Sequence, residues 1–168
     1  MGRSEVAPRR IQFMKMKVPD ALEALSSGSS ATQTILAWWR KSKGDMRALT
    51  GELKDNLAYL DMVAEDEVDL GAVIEKISVV EYRRLAREGF NFNRLKKAKI
   101  CSYPSLAGTD LASWAGKETE ELVDAIYARI NDLKIRYPHV RDNHKYRWKV
   151  RVNNIRKRIW LLLKHASS

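Results

Sequence analysis

The chain has 168 residues, 45% hydrophobic and 31% charged, with 31 Lys and Arg against 21 Asp and Glu for a formal charge of +10. That length and composition fit one folded domain with a hydrophobic core, and 8 Gly and 4 Pro are too few for a loop-rich β protein. No run nears the roughly 18 apolar residues of a membrane span, and the single Cys101 allows neither an internal disulfide nor a Cys-rich metal site, so a soluble protein of a reducing, cytoplasmic compartment is expected.

Residues 1–17 carry Arg3, Arg9, Arg10, Lys15 and Lys17 without hydrophobic periodicity, which predicts a flexible basic arm ahead of one helical domain over 18–168. The arm lacks the apolar stretch of a secretory signal. Pro19 and Asp20 look like a start for a short helix over Ala21 to Leu25, and the Ser/Gly cluster at 27–30 ends it.

From 31 to 64, Met46, Leu49, Leu53, Leu57, Leu60 and Ala64 recur at helical spacing, with a break expected at Lys43-Gly44-Asp45. Asp69 can cap a short helix holding Val73, Ile74 and Ile77. Ser78 followed by Glu81 reads as a capping box for a helix that ends at Gly89. Residues 90–108 read as an irregular connection.

Leu122, Ile126, Ile130 and Leu133 form the stripe of a helix over 118–135, stopped by Pro138. Beyond a short turn at 137–140, Trp148, Val152, Ile155, Ile159 and Leu162 form the stripe of a last helix within 141–166. Strand alternation is missing, so the expected fold is all-α, an antiparallel bundle of about five to seven helices.

The positive charge is local. Between Arg136 and Ser168 ten Lys and Arg face a single acid, Asp142. Arg147, Arg151, Asn154, Arg158 and His165 fall in one row beside the last apolar stripe, since residues seven apart return to nearly the same helical angle. Such a row could hold phosphates, so RNA, DNA or another anionic surface is the expected partner; pairing with the acids at 61–69 would instead make it structural. A second basic run holds Arg83, Arg84, Arg87, Lys96 and Lys97. Adjacent Trp38 and Trp39 cannot share one core face, which makes Trp39, beside Arg40 and Lys41, a candidate for a surface role. Three histidines without metal-ligand spacing, no nucleophile elbow and no P-loop leave no cofactor, zinc or nucleotide-hydrolysis expectation.

One catalytic pattern is present. Arg158-Ile-Trp-Leu-Leu-Leu-Lys-His165 resembles the Arg-x4-6-His motif of the HEPN superfamily, helical-bundle proteins common in bacterial toxin and antiphage systems, although Ile159 stands where members often carry a polar residue. The resemblance implies metal-independent RNA cleavage across a dimer, with Arg158 stabilising the scissile phosphate and His165 acting as acid or base. The leading expectation is instead a non-enzymatic interaction module, in a bacterial defence or regulatory complex, that binds an anionic partner or a protein surface through its basic last helix. A third reading is an oligomerising or membrane-perturbing bundle that exposes Trp160 and Leu161 to Leu163.

Overall fold

A computed structural model describes the backbone of residues 30–167 and the side chains of residue 37 and residues 40–167. The expected basic arm, the short helix over 21–25 and the side chains of Trp38 and Trp39 lie outside the described residues. The chain divides into two compact units at Ser42/Lys43. Of the first unit only the helical turns from Ser30 are described.

The described structure is all-α. Helix α1 spans Ser30–Ala64, α2 Leu70–Val73, α3 Val80–Arg87, α4 Thr119–Val140 and α5 Trp148–Ser167. Among the described residues the one β feature is an isolated bridge between Lys99 and Glu118, and no helix is long and apolar enough to cross a membrane.

The break expected at 43–45 is absent, and α1 runs through it. Glycine in a helix interior costs about 1 kcal/mol relative to alanine, which favourable bonds on both sides can offset. Asp45 does not start a helix; it is nearly buried and holds Arg84 of α3 at 2.9 Å. Leu49, Leu53 and Leu60 of the expected stripe are buried, and Leu57 packs against them half-buried.

Two polar side chains of α1 enter the same core. Asn56, wholly buried, accepts from the Ser78 amide and donates to the Ser78 carbonyl, both at 2.7 Å. One turn away the buried Glu52 carboxylate accepts from Ser78 Oγ at 2.7 Å, the Glu81 amide at 2.9 Å, the Tyr82 amide at 3.3 Å and the Tyr127 hydroxyl at 2.8 Å. The carboxylate thus sits on two amides in the first turn of α3, where orphan donors and the helix dipole favour an anion. The expected capping box is not closed by its own acid. Glu81 turns instead to Arg84 at 2.9 Å, because the Ser78 amide that it would accept from is held by Asn56 and its own amide by Glu52.

Tyr82 stacks on Tyr127 with centroids 4.1 Å apart and planes 5° from parallel. Burial, then Asp124, to which its hydroxyl donates, pushes the Tyr82 phenol up to about 12. Burial and the neighbouring Glu52 raise the Tyr127 phenol as well.

Residues 90–118 form an irregular strap with 3-10 turns at Phe92–Arg94, Pro104–Leu106 and Asp110–Trp114. The strap is anchored by Phe92, Leu95, Ile100 and Leu111 in the core, and by the Thr119 amide on the Ala98 carbonyl at 2.7 Å. Pro138 does not stop α4, which continues to Val140. Proline removes one amide and crowds the carbonyl four residues earlier, and in the last turn few bonds remain to be lost. Leu122, Ile126, Ile130 and Leu133 of α4 meet Val152, Ile155, Ile159 and Leu162 of α5 in the core.

Three stability changes follow. Glu52→Ala strands four donors and should lower stability by about 3 kcal/mol or more, against about 1 kcal/mol for Tyr127→Phe, read from urea midpoints; a midpoint for Glu52→Ala equal to that of the parent would contradict the assignment. Gly51→Ala meets nothing within 4 Å at its new Cβ and should add about 1 kcal/mol. Below pH 10 the tyrosines are protonated in both folded and unfolded chains and their contribution is intact. Between about pH 10 and 12 the unfolded chain gives up protons that the folded chain keeps, so stability falls as pH rises, and tyrosinate absorbance should appear together with unfolding.

Candidate anion-binding cleft

Helices α4 and α5 are joined by the segment 141–147, which contains a 3-10 turn at His144–Tyr146. The last helix therefore begins at Trp148 and not near Arg141. The Asn143 side chain accepts from the Lys145 amide at 3.1 Å, closing the turn. Arg147 follows in the left-handed region, φ 43 and ψ 59, a conformation that costs a residue with a Cβ about 1 kcal/mol or more. Its carbonyl accepts from the Val150 and Arg151 amides at 2.9 and 3.1 Å. Arg147 is thus the residue from which α5 starts, one step outside the helical row expected for it.

The turn and the two helices enclose a cleft of about 360 Å³. Arg129 and Asp132 line it from α4, Lys145, Tyr146 and Arg147 from the turn, and Val150, Arg151 and Asn154 from α5. Four cations thus face one acid. That acid is already committed, since Asp132 accepts from Arg151 Nη1 at 2.9 Å and is also bonded by Arg136 Nε. Arg151 is held further by the Tyr146 carbonyl at 2.8 Å and lies over the Tyr146 ring, 5.3 Å from its centroid. Tyr146 stacks on Trp148 at 5.1 Å, and Trp148 Nε1 donates to the Arg141 carbonyl at 3.0 Å. Trp148, expected on the core stripe, is half-buried and meets Tyr137 edge to face at 5.3 Å.

The first turn of α5 contains no acid and carries Lys149 and Arg151. Cations at the positive end of a helix dipole are in the unfavourable place. An anion in the cleft would relieve the repulsion among them. Of the expected row, Arg147, Arg151 and Asn154 line this cleft. Arg129 and Lys145 were not singled out from the sequence; both lie on other elements, and no helical periodicity links them to α5.

The rest of the row separates. Arg158 is half-buried on α5, its Nη1 donating to the Asn154 carbonyl at 2.8 Å, and its charge is disfavoured by burial and by Arg129. His165 is wholly buried. The Thr119 hydroxyl donates to the Lys97 carbonyl at 2.6 Å, and His165 Nε2 lies 3.1 Å from that hydroxyl oxygen and 3.2 Å from the same carbonyl. The carbonyl can only accept and the hydroxyl hydrogen is spent, so Nε2 is the donor. The ring ties α5 to the strap and offers no nitrogen to solvent. Leu161 and Leu162 are likewise core residues, and Trp160 is partly exposed with Lys164 over its ring at 4.8 Å.

The second basic run does not form one surface. Arg84 is ringed by Asp45, Glu81 and Glu88 at 2.9 to 3.2 Å. Arg83 donates to Asn131 at 2.9 Å and Arg87 to the Arg83 carbonyl at 3.2 Å. Lys96 and Lys97 are exposed on the strap, Lys97 Nζ 3.7 Å from Cys101 Sγ. The acids near 61–69 meet the last helix through Arg156, which bonds Asp61 and Glu65. Among the described residues no group of three or more His, Cys, Asp and Glu could hold a metal ion. Comparison with protein-family models, with curated proteins and with solved structures gives no match for this chain.

Proposed function

We propose that this helical protein, arranged as an antiparallel bundle, is a non-enzymatic module that binds nucleic acid through its phosphates in the cleft between α4 and α5. The observation that carries the reading is the convergence of Arg129, Lys145, Arg147 and Arg151 from three chain segments on one concavity whose single acid is already neutralised. Guanidinium groups fit phosphate oxygens bidentately, and a chain of formal charge +10 attracts polyanions at long range. Tyr146 and the half-exposed Val150 add apolar surface against which a sugar or base can rest. The concavity favours a strand over a flat lipid surface. A HEPN-like centre would need Arg158 and His165 together at a phosphate, and the burial of His165 does not favour that use.

A labelled single-stranded oligonucleotide should bind at low salt and be released as salt rises, with a log–log slope of about −0.7 per phosphate contact. Arg147→Gly suits the left-handed backbone, so it should keep or raise the melting temperature while weakening binding about fivefold, the worth of one surface ionic contact. No binding at low salt, or binding to anionic phospholipid vesicles with none to oligonucleotide, would refute the reading.

A further inference from the structure

The half-buried arginines of the domain have their charges answered by carboxylates, with one exception. Arg84 has Asp45, Glu81 and Glu88; Arg156 has Asp61 and Glu65; Arg151 has Asp132. Arg158 forms no ion pair among the described residues. Its Nε is buried without a hydrogen-bond partner, and its Nη1 reaches only a carbonyl of its own helix. The acid that acts on it, Asp110, pairs with Lys157 at 3.5 Å instead. Arg129, whose Nη1 likewise reaches only a carbonyl of its own helix, Ala125 at 3.3 Å, lines the cleft together with Asn154, whose carbonyl Arg158 bonds, and its charge disfavours that of Arg158. The Trp114 ring lies 6.0 Å from the Arg158 guanidinium carbon and also carries Lys117 Nζ, 4.7 Å from its centroid, so a second cation adds to the local positive charge.

Two guanidinium groups that repel each other, one of them partly withdrawn from water and denied a counter-ion, are arranged for an anion that the protein itself does not supply. Arg129 also lines the cleft already described, so the two places are continuous. Arg151 and Arg158 are seven residues apart on α5, about 10 Å along the axis. One strand of a stacked duplex advances about 3.4 Å per phosphate, so that distance corresponds to about three phosphate steps.

We propose that Arg158 and Arg129 form a second phosphate subsite beyond the cleft, so that the protein takes a contiguous phosphodiester strand of about four nucleotides and not an isolated phosphate group. This rests on the nucleic-acid reading and adds a length requirement to it. Arg158 Nη2 and Arg129 Nη2 are the donors.

The test is a length series of labelled oligodeoxyadenylates, which stack as single strands, from two to eight nucleotides, measured by fluorescence anisotropy at low salt on the full chain. The parent protein should gain affinity steeply up to about four or five nucleotides and slowly afterwards. Arg158→Met should flatten that gain and reduce the salt slope by about 0.7, while its melting temperature stays level or rises, because an unpartnered buried nitrogen and a like-charge contact are both removed. Arg158→Gln, which keeps a polar side chain at the half-buried position and leaves the cleft lining untouched, should show the same flattening, which keeps the test sound if the first variant folds poorly. Length dependence and slope unchanged in both variants would overturn the second subsite while leaving the cleft standing. Loss of all oligonucleotide binding in the parent would instead reject the nucleic-acid reading itself.

Discussion

The helical core is organised around a carboxylate. Glu52 projects from α1 into the interior and receives four donors, the Glu81 and Tyr82 amides in the first turn of α3, the Ser78 hydroxyl and the Tyr127 hydroxyl on α4. A buried carboxylate without partners would be expensive. With these four it becomes the joint at which three helices meet, and the neighbouring Asn56 fixes the Ser78 backbone from both sides. The position of α4 follows from this joint, and α5 packs on α4. The cleft between those two helices therefore inherits its geometry from an acid on a third helix.

Charge in this domain is sorted by whether it has been answered. Arg84 and Arg156, beside acids, are structural and tie α3 to α1 and α5 to α1. Among the described residues Arg129, Lys145 and Arg147 have no acid of their own, and the one acid of the cleft serves Arg136 and Arg151. Net charge would have ranked all of these alike. Arg129, Lys145 and Arg147 converge where the positive end of α5 and the left-handed Arg147 already place unfavourable energy, and a polyanion there meets charge that no acid has answered. The fold tolerates that local repulsion because the apolar contact between α4 and α5 is extensive, with five buried apolar side chains on α5.

Much of the helical content could be read from spacing. The stripes through Leu49 to Leu60, Leu122 to Leu133 and Val152 to Leu162 are buried or nearly so, because a period of 3.6 residues brings them to one face whatever they pack against. The boundaries were harder to read. Gly44 and Pro138 are breakers by local preference, yet α1 and α4 pass through both. Ser78 and Glu81 have capping-box spacing, but the cap comes from Glu52, 29 residues earlier than the Glu81 amide it holds. A local signal cannot report a partner that arrives from elsewhere in the chain.

The sequence by itself determined that the described part of the chain would be helical, which faces would be apolar and that the last helix would be rich in positive charge, since each is a property of residue order over a few turns. The tertiary structure alone decided what that charge does. It withdrew His165 into the core, bound Arg156 to Asp61 and Glu65, moved Arg147 out of the helix and brought Arg129 and Lys145 beside Arg151. The reason is that the availability of a charge depends on its burial and on its nearest acid, and both are set by packing between segments distant in the chain.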